Sequence, residues 1–453
     1  MDRAAKLRLA ACVILGLGAA LLMAALLLGV YTVNKVAKIP LNIDTTLTSE
    51  GNGQALNAKY LNPPEPPKPP EGEPEPPRQQ PKVVIDDVKD QHLVQQQQIT
   101  SESGHDRPSN DNEVTVQMGT TLRRIDIGDA GLLLAMIDTV TLNRTTATAV
   151  QGDGPNGWLA KPRDLTVPAK PDASDPQPVK HQGLSYRFPI DVSKDGSYEY
   201  FDPIAQKPFK TTFKDTEDVL GLETYHFTQS VGLDAGGNLP KKPSSDVVQP
   251  VEYQSRFADP TVDSKITARA AEWGFDNEPA DKRITMTRYY AAFRDFWVDP
   301  VTGIIVKEKD QAFHYFVRCD DGDVCKEKNP LDPEKIRTLV KYSIESTQDT
   351  VESQLNAARD QGDQIALVGR ILPITFTALG IVALVGGALL GLFTLRAQTA
   401  LIDPGLDTAG HEFLGPRGSS GERRPPGAEA ETEKLPTQRR SPREPPSQAP
   451  PPP

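Results

Sequence analysis

Cysteine is scarce in this chain, with three in 453 residues, too few for the disulfide scaffold of a small secreted domain. Positive charge is also in deficit. The net charge is −11, and the ends do not cause it: residues 1–33 hold three bases and one acid, and 396–453 hold eight of each. An acidic middle argues against nucleic acid as a partner, because phosphate binding needs the opposite sign. Catalytic spacing is missing as well. The six histidines (His92, His105, His181, His226, His314, His411) form no His-Glu-x-x-His or other ligand pattern, and no Gly-x-Ser-x-Gly elbow occurs. Gly152-Asp153-Gly154-Pro155-Asn156-Gly157 lacks the helix and Lys-Ser/Thr pair of a phosphate loop, so it reads as a turn. Asp320, Asp321 and Asp323 beside Gly322 hint at calcium, but an EF-hand loop needs about 12 residues and a distal glutamate, which this segment lacks. The expectation is a protein without enzymatic chemistry, cofactor or metal.

What the chain does have is two long apolar runs. Arg3, Lys6 and Arg8 precede the first, residues 9–33, and the second, 371–395, ends at Arg396. Each is long enough to cross a bilayer of roughly 30 Å at about 1.5 Å per residue. The first exceeds a signal peptide's apolar core and ends in no clean cleavage pattern, so it reads as an uncleaved anchor. In the second, Gly387 and Gly391 form a GxxxG suited to packing against the first. The positive-inside rule places residues 1–8 and the 396–453 tail in the cytoplasm, and 34–370 outside the inner membrane. Cys319 and Cys325 then lie in an oxidising compartment and can close a small disulfide loop.

Between the spans, Ile39 to Leu47 alternates weakly, like a strand. Residues 55–112, rich in proline and glutamine, read as a disordered insertion. Residues 113–346 are β-rich, with β-branched alternation at Val114–Val116, Thr121–Ile127 and Met136–Leu142. The clearest element is a hairpin between Arg288 and Val317, turning at Asp299-Pro300-Val301-Thr302-Gly303. Both parities of its arms are apolar, so each strand is either sandwiched in a core or faces a cavity on one side. A polar helix over 347–370, capped by Asp349 or Thr350, leads into the second span. The tail is proline-rich and reads as disordered. The fold class is α+β, mainly β: a large extracytoplasmic antiparallel β-domain flanked by two transmembrane helices.

Four motifs in this order carry a resemblance: Gly183-Leu184-Ser185-Tyr186-Arg187-Phe188-Pro189, Tyr200-Phe201-Asp202, Gly221-Leu222-Glu223-Thr224-Tyr225-His226-Phe227, and Trp297-Val298-Asp299-Pro300-Val301-Thr302-Gly303-Ile304-Ile305-Val306-Lys307. Together with the flanking helices they resemble an actinobacterial membrane-anchored family of unknown function, the porin PorA-like proteins, over residues 1–48 and 113–395. Two apolar helices cannot line a water-filled pore alone, and no strand set carries the aromatic girdles of an outer-membrane barrel. The architecture is more loosely similar to lipoprotein carriers and to class B scavenger-receptor ectodomains. The resemblance implies a setting in the mycolate-containing envelope. The expected function is to bind or hand over an envelope lipid or glycolipid beside an inner-membrane lipid exporter, with Tyr186, Phe188, Tyr225, Phe227, Phe293, Trp297, Phe313 and Tyr315 as candidate lining. The alternatives are a scaffold for envelope glycan synthesis or polar growth and, more weakly, a pore-forming subunit.

Overall fold

The computed structural model describes residues 3–28, 33–55, 91–102, 109–126, 128–163, 175–240, 248–252, 265–318 and 335–399. The expected Cys319–Cys325 loop, most of the proline-rich insertion and nearly all of the tail lie outside these residues. Among the described residues, fourteen strands form one sheet. In chain order they are β1 (Asp44–Ala55), β2 (Gln91–Glu102), β3 (Glu113–Arg124), β4 (Leu132–Asn143), β5 (Gly157–Arg163), β6 (Gln177–Val179) and β7 (Glu199–Asp202). They continue with β8 (Lys207–Val219), β9 (Leu222–Val231), β10 (Val251–Glu252), β11 (Lys265–Arg269), β12 (Arg283–Val298), β13 (Ile305–Arg318) and β14 (Ile336–Ser346). The spatial order is β6-β5-β4-β3-β2-β1-β14-β13-β12-β9-β8-β7. The 16-residue β12 is long enough for one of its edges to serve β9, β10 and β11 in succession.

The sheet curls until its ends meet. Ala149 N–H donates to Gly183 O, Leu184 N–H to Glu199 O, and Phe201 N–H to Leu184 O, joining the loop after β4 to β7. Leu93 of β2 and Leu134 of β4 consequently share a core with Phe201, Tyr290, Phe316 and Tyr342 from the far side.

The expected hairpin is β12–β13, paired from Met286↔Arg318 to Val298↔Ile305. The Asp299 carboxylate accepts from the Thr302 N–H and hydroxyl, and Gly303 has φ +73°. A Cβ on Gly303 would stand 2.2 Å from Phe188 O, so the turn is wedged against the 188–192 segment and not left in solvent. Both faces of β12 are buried, and the parities have different destinations. Tyr290, Ala292, Arg294, Phe296 and Val298 face the interior of the curled sheet; Tyr289, Ala291, Phe293 and Trp297 face outward, under flanking segments.

Two expectations are corrected in the β-domain. The residues expected to lie in a disordered insertion include β2, which pairs with both β1 and β3. Its inward positions are Leu93, Gln95, Gln97 and Ile99, and the two glutamines hide the apolar alternation by which strands are recognised. The first strand also falls later than Ile39–Leu47, starting at Asp44.

Helix α1 (Arg3–Leu27) precedes the sheet; α2 (Gln348–Ala366) follows it and runs through a π-turn, Leu367–Ile371, into α3 (Leu372–Thr399). The N-cap of α2 is Thr347, in extended conformation, and not Asp349 or Thr350; the Thr350 hydroxyl instead bonds Thr48 of β1. Val351, Leu355 and Ala358 pack α2 onto Trp297 and Val306. The segments Ala5–Leu27 and Gln348–Arg396 are long and apolar enough to cross a membrane. Helices α1 and α3 touch antiparallel through glycine. A Cβ on Gly18 would stand 2.9 Å from Gly380 O, one on Gly380 2.9 Å from Leu22, and one on Gly387 2.8 Å from Leu15. Gly391, the other half of the expected GxxxG, has nothing within 4 Å. The contact thus uses a seven-residue spacing, Gly380 to Gly387, in place of four.

Candidate functional site

The interior of the curled sheet is charged. Arg294 of β12 donates to Asp202 Oδ2 at 2.7 Å, to Gln229 Oε1 at 3.1 Å and to the Tyr290 hydroxyl at 2.8 Å. The Tyr290 hydroxyl donates to Asp202 Oδ2 at 2.9 Å, while Asp202 Oδ1 accepts the Ile204 and Ala205 N–H groups of the turn after β7. On β13, Asp310 Oδ1 lies 3.2 Å from Arg294 Nε, in ion-pair contact but without hydrogen-bond alignment. Tyr342 donates to Asp310 Oδ2 at 3.2 Å. Glu308, two residues from Asp310 on the same face, completes a set of three carboxylates around one guanidinium.

Burial and mutual charge shift these groups. Burial pushes the Glu308 carboxyl up to about 7, Asp310 adds to the rise, and Arg294 offsets part of it. Asp310 is raised chiefly by burial. For Arg294, burial opposes the charge, but Tyr290, Asp202, Asp310 and Glu308 together hold it firmly protonated. An ionised pair in such a place is stable only when its remaining lone pairs are satisfied, and Tyr290, Arg294, Glu308, Asp310 and Tyr342 border a cavity of about 90 Å³. That is room for several waters.

A second cavity, of about 590 Å³, shares Ile99, Tyr186, Ile305 and Gln354 with the first. It lies beside the segments that join the two long apolar helices to the sheet, bordered by Lys35 and Lys38 after α1 and by Gln361 and Gln364 at the end of α2. Its lining is mixed. Ile39, Ile43, Val116 and Leu142 are apolar; Lys38, Arg144 and Arg187 bring cations. Arg187 donates to Thr302 O and, at 3.0 Å, to Gln361 Oε1, and burial lowers it to about 10. The buried Ser185 Oγ and Arg187 Nε have no hydrogen-bond partner among the described residues.

The eight aromatic candidates are not gathered around either cavity. Tyr186 borders both. Phe188, Tyr225 and Phe227 fill one cluster with Phe296; Phe293, Phe313 and Tyr315 fill a second on the outer face; Trp297 lies under α2. Phe188 and Phe227 stack at 4.9 Å, and Phe313 and Tyr315 at 4.6 Å, in the offset or tilted geometries of packed cores. Arg294, Glu308 and Asp310 match no motif in the sequence. Their signal was parity: charges at alternate positions inside Tyr290–Val298 and Val306–His314, strands otherwise buried on both faces.

The family model described as Porin PorA matches residues 10–389. Over 403 residues the chain is 25% identical to a protein named Porin PorA from Corynebacterium amycolatum, covering 85% of this chain and 97% of that one. Over 410 residues it is 27% identical to a Porin PorA from Corynebacterium resistens, covering 84% and 96% respectively. With the model match spanning most of its length, the chain belongs to the porin PorA family.

Proposed function

We propose that this chain is a subunit of an envelope pore, anchored by two membrane helices, whose curled β-domain admits small polar solutes and ions through a hydrated interior. One observation carries this reading: Arg294, Asp310 and Glu308 border the inner cavity, and Asp202 pairs with Arg294 behind it. A lipid carrier needs the reverse, since each methylene transferred from water to an apolar lining contributes about 0.8 kcal/mol, and charged groups in that lining take the place of apolar contacts. The names of the relatives point the same way. Two apolar helices do not enclose a water path, so the conducting unit contains several copies. No bond-making step is assigned to it. The basic N-terminal flank supports a topology with both termini in the cytoplasm and the β-domain outside.

The test is conductance of the purified full chain in planar bilayers. Stepwise conductance that depends on protein concentration supports the proposal, and a silent bilayer at all protein-to-lipid ratios rejects it. A second reading, transfer of an envelope lipid, is favoured by the mixed apolar and cationic lining of the larger cavity beside the membrane helices. Native mass spectrometry separates the two: a stoichiometric co-purifying lipid supports transfer, and a lipid-free conducting protein supports the pore.

A further inference from the structure

His226 of β9 lies between three carboxylates. Its Nε2 is 2.8 Å from Asp295 Oδ1; its Nδ1 is 3.1 Å from Asp215 Oδ1 and 3.0 Å from Glu217 Oε1. The ring itself is buried, with 2% exposure, whereas the Asp215 and Glu217 side chains are 47% and 43% exposed. Strand pairing builds this arrangement. Asp215 and Glu217 are alternate residues on β8, so they share a face, and β8–β9 pairing sets Asp215 opposite His226 just after a bulge. β9–β12 pairing sets His226 opposite Trp297, and the two rings stack at 4.5 Å.

The orientation of the imidazole decides what fits there. With the Nε2 proton donated to Asp295, a neutral ring turns its Nδ1 lone pair toward two anionic oxygens, which repels unless a cation stands between them. A proton on Nδ1 makes one hydrogen bond shared by two acceptors. A divalent cation engages all three atoms. Metal-to-ligand distances of about 2.0–2.2 Å put neighbouring ligand atoms of a tetrahedron about 3.3–3.6 Å apart; the observed 3.0 and 3.1 Å need to open by only a few tenths of an ångström, and all three ligand atoms lie within 4.8 Å of one another. Metal-binding histidines are commonly oriented by a carboxylate on the other ring nitrogen, the place held by Asp295. Glu217 is oriented too: Trp297 Nε1 donates to its Oε2 at 2.8 Å, leaving Oε1 for the site. The half-exposed side is open to water, as a site with three protein ligands requires.

We propose that Asp215, Glu217 and His226 bind a divalent first-row transition cation such as zinc, with Asp295 and Trp297 as positioning residues and solvent completing the coordination. One imidazole with two carboxylates favours such a metal over calcium or magnesium, which take all-oxygen sets. No spacing along the chain announces the site, because its ligands come from two strands and its supports from a third.

The experiment is isothermal titration of the untagged, chelator-treated full chain in detergent with zinc chloride, paired with zinc X-ray absorption. One equivalent should bind, with nitrogen and oxygen neighbours and no sulfur. Asp215→Asn and Glu217→Gln should each weaken binding at least 10-fold, and Asp295→Asn about 10–100-fold through loss of orientation. Glu199→Gln, at the exposed start of β7, should leave it unchanged. Absorption of the wild-type chain needs no variant, so a misfolded mutant does not blunt the test. Sub-stoichiometric uptake, a sulfur-ligated metal, equal affinity in wild type and Glu217→Gln, or magnesium binding as tight as zinc would each overturn the proposal.

Discussion

Replacing Glu308 by glutamine keeps the size of an interior side chain and removes a charge that appears near neutral pH. Burial, with Asp310 beside it, lifts the carboxyl from 4.5 to about 7. At about 1.36 kcal/mol per unit the full shift corresponds to about 3 kcal/mol. Glu308 keeps partial access to the cavity, so water screening reduces this to about 1–2 kcal/mol. The sign follows from linkage. A folded-state value above the unfolded one gives stability that is complete below 4.5 and is lost as pH rises through about 7. Asp310 is raised too and acts in the same sense, so the informative quantity is the difference between variant and wild type. In a pH series of thermal unfolding of the full chain in detergent, the two should match near pH 4.5. By pH 8 the variant should melt higher by about 3–6 °C. A difference that is independent of pH, or a wild type that melts higher at pH 8, would refute the assignment.

Arg294→Met leaves Asp202 and Asp310 without their cation and should destabilise the domain by about 3–5 kcal/mol in urea unfolding; a loss below about 1 kcal/mol would mean that the carboxylates find other partners. Gly303→Ala meets both a φ of +73° and the Phe188 carbonyl, and should cost about 2 kcal/mol or more. Gly380→Leu should separate α1 from α3 and lower resistance to SDS unfolding, while Gly391→Leu, with open space around it, should stay within about 0.5 kcal/mol of wild type. Equal behaviour of the two leucine variants would place the helix contact elsewhere.

Periodic or punctuated elements were legible in the sequence. The two apolar runs became α1 and α3, the Asp299–Gly303 turn joined β12 to β13, and alternation located β3 and β4. β2 was hidden because its inward Gln95 and Gln97 face a cavity bordered by charged as well as apolar groups, so the strand lacks an apolar stripe. The polar interior was hidden for a related reason. Counting aromatics on β12 and β13 treats both faces alike, and only pairing shows that Arg294, Glu308 and Asp310 point inward while Phe293, Phe313 and Tyr315 point outward. Sheet closure through Leu184 was illegible because it rests on isolated bridges between loops distant in sequence.

The most direct test of a hydrated, charged interior is the reversal potential of the reconstituted full chain across a potassium chloride gradient at pH 6 and pH 8. Ionisation of Glu308 adds a negative charge to an interior that already holds Asp202 and Asp310 against Arg294. Cation preference should therefore increase from pH 6 to pH 8 in the wild type, and the change should shrink in Glu308→Gln. A reversal potential that is the same at both pH values, or that moves equally in wild type and variant, would contradict conduction through this interior.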